Sequence, residues 1–119
     1  MLGASTTGLY TLATQFDFHP RVRTQRGAAL LFFTKLGCGS CGKWKLLLKD
    51  FIQYEPVAVF EVDAAEDAAL AREFAVFHLP ALFLFKDGEY HAALECEASL
   101  PRLRETLLTL LALPAQEAP

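Results

Sequence analysis

The chain has 119 residues, 53% of them hydrophobic, and a net charge of −3 with both signs mixed along its length. That is a usual size for one domain with a real core; it offers no basic block for nucleic acid or a membrane surface, and no apolar run long enough to span a bilayer. Its three cysteines, Cys38, Cys41 and Cys96, are too few and too odd in number for a secreted disulfide scaffold, and one CxxC pair is half of a usual tetrahedral zinc set.

The opening stretch MLGASTTGLYTLATQF lacks a basic n-region and a continuous apolar core, so no signal peptide is expected and the cytoplasm is the expected compartment. A weak strand is expected near 8–13 and a poor helix over 16–25. AALLFF (28–33) is a short apolar run suited to a strand buried on both faces, as are VAVFEV (57–62) and ALFLF (81–85). Between the first two, Trp44, Leu47, Leu48, Phe51 and Ile52 fall on one helix face. Leu70, Phe74 and Phe77 repeat at helical spacing, with Glu66 and Asp67 suited to the positive N-terminal end. KDGE (86–89) carries an Asp-Gly hairpin signal, so 81–86 and 89–95 should pair antiparallel. Leu100, Leu103, Leu107, Leu110 and Leu111 make a last stripe, with Ser99 as its cap and Pro101 tolerated in its first turn. LPAQEAP (113–119) reads as a tail. No internal repeat divides the chain, so one α/β domain is expected over 1–119, in the order β-α-β-α-β-α-β-β-α.

The two cysteines of KLGCGSC (35–41) sit where the first buried run ends and the first helix begins. Run backwards, the helix stripe puts Cys41 three residues before Trp44, hence facing inward. Cys38 precedes the first turn, where unpaired backbone N–H groups and the helix dipole favour a thiolate. An exposed, polarised thiol beside a shielded one suits dithiol–disulfide exchange, with small Gly39 and Ser40 admitting a large substrate. A chance CxxC at a turn, or half of a metal site, are the competing readings.

CGSC at a strand-to-helix junction, LPALFLF (79–85), KDGE and the terminal amphipathic helix follow one another in an order and spacing that resemble thioredoxin, over about residues 8–112. The resemblance implies the thioredoxin fold, a central mixed sheet of about five strands flanked by about four helices. It also implies that Cys38 is the nucleophile and Cys41 the resolving thiol. The Leu79-Pro80 bond should be cis, and both residues should line the substrate groove and pair with the substrate backbone. No cofactor is implied. The expected partners are disulfide-containing protein substrates and a reductase or low-molecular-weight thiol as electron donor, with no nucleic acid or membrane, and the chain is expected to act as a monomer.

The chain departs from that family at several points. Where thioredoxins usually bury an aspartate, six residues before the first cysteine, it has Phe32, and the usual lysine partner aligns with Val59. Gly37 replaces the usual tryptophan, Ser40 the proline of CGPC, and Leu46 the mid-helix proline. Glu61, of the same parity as Val59, is a candidate substitute base. Cys96 and His78 align beside the groove, as a third redox thiol with a flanking imidazole, as parts of a Cys3His set with the dithiol, or as an ordinary half-buried thiol and a solvated histidine. Lys35, Lys43 and Lys45 surround the dithiol as support for the thiolate or as a solvated rim. The function expected is a protein-disulfide reductase; the alternative is a thioredoxin-fold binding module with little or no redox turnover.

Overall fold

The computed structural model describes residues 8–119. At its centre β2 (Ala28–Thr34) is buried at every position but the first, because both faces of this strand are covered by helices. Its alternation splits the core in two. Leu31 and Phe33 face one layer, with α1 (Phe18–Val22) and α3 (Ala68–Glu73). Leu30 and Phe32 face the other, with α2 (Gly39–Phe51) and α4 (Leu100–Ala112). Side chains alternate along a strand with period two, so a run apolar at every position is what such a place requires.

β1 (Leu9–Leu12), β3 (Ala58–Asp63), β4 (Ala81–Lys86) and β5 (Glu89–Leu94) complete a sheet of order β1-β3-β2-β4-β5. β3 runs parallel to both β1 and β2, whereas β4 is antiparallel to β2 and to β5. The element order is the one expected, and the architecture is the mixed five-stranded sheet with four helices. At the β4–β5 turn Asp87 and Gly88 both take positive φ, 50° and 85°, as a two-residue hairpin on twisted strands prefers. The Asp87 carboxylate accepts from Gly27 N at 2.7 Å, anchoring the turn.

Several local expectations are corrected. The helix expected over 16–25 is confined to Phe18–Val22. α3 ends at Glu73, and Ala75 takes a positive φ of 52°. Phe77 therefore leaves the helical frame that Leu70 and Phe74 share, and is 85% exposed. Asp67 stands at the N-terminal end of α3, as expected; its carboxylate is buried and accepts from Gln15 N at 3.0 Å, tying α3 to the loop after β1. Ser99 caps α4 as expected, accepting from Arg102 N at 3.3 Å. The segment after α4 is tied down: Gln116 donates from its backbone to His91 O at 2.7 Å and accepts from Ala93 N through its side chain at 3.2 Å. Among the described residues, no helix is long and apolar enough to cross a membrane.

Candidate active site

The site begins where β2 leaves the sheet. Gly37, at φ 87°, turns the chain; a side chain there would be strained. Cys38 follows in extended conformation as the N-cap of α2, its backbone N–H donating to Lys35 O at 3.2 Å. Cys41 lies in the first helical turn, and one turn of helix brings the two residues to a Cα separation of 5.3 Å, where their sulfurs are joined as a disulfide. The pair is unequal in the expected sense. Cys41 is 2% exposed, while Cys38 is half-buried rather than fully open. Ser40 Oγ lies 3.8 Å from Cys38 Sγ, within hydrogen-bonding range of sulfur. No acidic residue occupies the first turn of α2, so nothing there offsets the positive end of the helix beside Cys38.

Two clefts meet this turn. One, of about 290 Å³, is lined by Cys38, Cys41, Lys35, Lys45, Glu61 and Asp63 among others. The other, also about 290 Å³, is lined by Ser40, Trp44, Pro80, Leu94, Glu95 and Cys96. The Leu79-Pro80 bond is cis. Pro80 faces Ser40 across the second cleft, while Leu79 packs against the α1–α3 core. Of the expected groove residues, then, Gly39, Ser40, Pro80 and Cys96 gather around the dithiol turn. His78 is exposed and lines a separate depression with Phe77 and Pro80. Among the described residues no three His, Cys, Asp or Glu side chains converge as metal ligands, so the Cys3His arrangement is not formed.

Cys96 is half-buried against the α2–α4 core. Burial pushes its thiol up, a hydrogen bond with Thr106 pulls it back, and the charge of Glu97 adds a further upward push. It is thus a poorer thiolate than an ordinary surface cysteine. Lys35 and Lys45 line the dithiol cleft, whereas Lys43 points to solvent.

Under α2 the two replaced positions are wholly apolar. Phe32 and Val59 are each 0% exposed and pack with Trp44 and Leu48. A carboxylate lies one pleat along β3 from Val59. Glu61 is the register partner of Phe32 and lies on the same face as Val59. Its side chain is 11% exposed, accepts from Tyr10 OH at 2.5 Å and meets Lys45 Nζ at 3.3 Å. Burial, together with the hydrogen bond and charge of Glu61, raises the Tyr10 hydroxyl well above its ordinary range, so it stays a donor. Lys49 covers the Tyr10 ring at 5.1 Å. Parity singles out Glu61 in the sequence, but nothing local there announces Tyr10 or Lys45 as its partners.

The family model described as Thioredoxin matches residues 10–109. Among solved structures, a point-mutant thioredoxin from Halobacterium salinarum NRC-1 superimposes with a TM-score of 0.69, at 22% identity, over 100% of both chains. At that identity the likeness speaks for the fold, which is the thioredoxin fold.

Proposed function

The chain belongs to the thioredoxin family, and from that premise we propose that it reduces protein disulfides by dithiol exchange through Cys38 and Cys41. Family and fold, with the adjacent cysteine pair, support thiol–disulfide oxidoreductase chemistry in general. The observation that carries the finer reading is the asymmetry of the pair: a half-buried cysteine at the N-cap of α2, bonded to a buried one a helical turn later.

Reduced Cys38, as thiolate, attacks one sulfur of a substrate disulfide; the other substrate sulfur leaves with the electron pair. Cys41 then attacks Cys38 Sγ, closing the internal disulfide and releasing the second substrate thiolate. The substrate chain docks along Pro80 and the backbone before it, with Gly39 and Ser40 leaving room above the sulfurs and Cys96 at the rim. Leu36, 94% exposed beside the dithiol, and Phe77 extend an apolar border for an unfolded or extended segment. A reductase or low-molecular-weight thiol returns the electrons, the protein acts as a monomer, and a reducing compartment such as the cytoplasm suits this direction.

A second reading is favoured by one observation. Phe32 and Val59 are both apolar and fully buried, so a binding module with little turnover would retain the groove without the usual charge pair. Insulin reduction followed by turbidity, with dithiothreitol as donor, separates the two. The reductase should precipitate insulin far faster than dithiothreitol alone, and Cys38→Ser should abolish the gain. Wild-type protein no faster than dithiothreitol alone would leave the binding module.

A further inference from the structure

Closing the internal disulfide requires Cys41 to give up a proton while 2% exposed, and apolar surroundings hold that proton on sulfur. Phe32 and Val59, buried on the sheet face that α2 covers, have no acceptor. The groups around the cleft that Cys41 lines can be taken in turn. Lys35 and Lys45 are donors. Tyr10, on β1, keeps its proton, and its donation is spent on Glu61. Asp63 has its Oδ1 taken by two loop amides, Ala65 N at 2.8 Å and Glu66 N at 3.0 Å, and lies one pleat beyond Glu61 along β3, opposite Thr34 rather than Phe32. Cys38 is the partner in the reaction. Glu61 remains.

Resting on the reductase reading, we propose that Glu61 is the proton acceptor for Cys41, reached through water in the shared cleft, and that Tyr10 and Lys45 position its carboxylate. The cleft, about 290 Å³, is many times the volume of one water molecule. A carboxylate has about four lone-pair sites; Tyr10 and Lys45 take one on each oxygen, which leaves others for water on the side of the cysteine. In the step itself the Cys41 S–H proton passes through water to Glu61 and the Cys41 thiolate attacks Cys38 Sγ. The Cys38–Cys41 bond forms, the Cys38–substrate bond breaks, and the electron pair leaves on the substrate sulfur. That sulfur, or solvent, takes the proton back from Glu61. The dithiol is oxidised and the substrate disulfide reduced.

The test mixes reduced protein with one equivalent of an aromatic disulfide, dithiobis(nitrobenzoate), in stopped flow. One coloured thiolate is released when Cys38 attacks and a second when Cys41 resolves, so the two steps are timed separately. In Glu61→Gln the second release should slow by about 100-fold, the lower range for loss of a general base, and Glu61→Asp should recover it to within about tenfold. Added imidazole should accelerate the second release of Glu61→Gln in proportion to its concentration and leave wild type unmoved. A second release within twofold of wild type, or a slow one that no added base restores, overturns the proposal. Should Glu61→Gln not fold, wild type alone decides: a second release that rises linearly with imidazole means that no internal acceptor serves Cys41. Absence of the first release would overturn the reductase reading, and this proposal with it.

Discussion

Replacing Phe32 by aspartate puts a carboxylate where solvent does not reach. Phe32 is 0% exposed, hydrogen-bonded between β3 and β4 and packed with Leu30, Val59, Trp44 and Leu48. Loss of the ring alone, as in Phe32→Ala, costs about 3–5 kcal/mol. The carboxylate adds a term that depends on pH. The cation on this face, Lys45, is already paired with Glu61, the register partner of Phe32, so burial dominates and the pKa of the introduced group should rise by about 3 units on folding. An acid whose pKa is raised in the folded state leaves that state holding more protons than the unfolded chain, so stability falls as pH rises between the two pKa values and is level above them. At about 1.4 kcal/mol per unit the added loss reaches about 4 kcal/mol by pH 7. Against a total of about 5–15 kcal/mol, Phe32→Asp should be folded near pH 4 and marginal near pH 8. Urea unfolding followed by fluorescence of Trp44, the single tryptophan, reads this directly in Phe32→Asp and Phe32→Ala. The difference between the two variants should grow by about 2.5 kcal/mol from pH 5 to 8. A difference that stays constant across that range would show that the carboxylate finds water or a partner, and would refute the view of this face as a dry, uncharged wall beneath α2.

In the reduced protein at pH 7, iodoacetamide should modify Cys38 at least about tenfold faster than Cys96, because the helix end favours the first thiolate while burial and Glu97 disfavour the second; equal rates by mass spectrometry would contradict the assigned nucleophile. Gly88→Ala should cost about 2 kcal/mol or more, since φ there is +85° and an added Cβ would lie 2.8 Å from Arg23 O. The melting temperature should then drop by about 10 °C, and a drop under about 3 °C would show that the hairpin can move away from α1.

What the order of residues determined on its own is local. The apolar runs of β2, β3 and β4 are long enough and uniform enough to be buried strands, the leucine stripe of α4 repeats at helical period, and Asp87-Gly88 makes a turn whatever surrounds it. The dithiol belongs to the same class: a strand end, a glycine with positive φ and one helical turn bring Cys38 and Cys41 together without help from elsewhere. Where the reading from pattern went astray, a contact distant in sequence had intervened. Leu70, Phe74 and Phe77 share a spacing, but α3 needs only the first two against the core, and the chain leaves the helix at Ala75. Asp67 sits at the N-terminal end of α3, as its charge suggests, but no local pattern announces that its carboxylate serves a backbone amide 52 residues away. Placing β4 antiparallel beside the central β2, and β1 outside β3, depends on pairings whose hydrogen bonds any strand can offer, so composition does not choose among them. Glu61 is the sharpest case. Its parity was legible, but Tyr10 is 51 residues before it and Lys45 sits on another element. Only the docking of α2 across β1 and β3 turns a strand-end glutamate into a buried carboxylate held from two sides at the edge of the dithiol cleft, because burial and orientation are properties of what packs over a residue, and no residue carries that in its own neighbourhood of the chain.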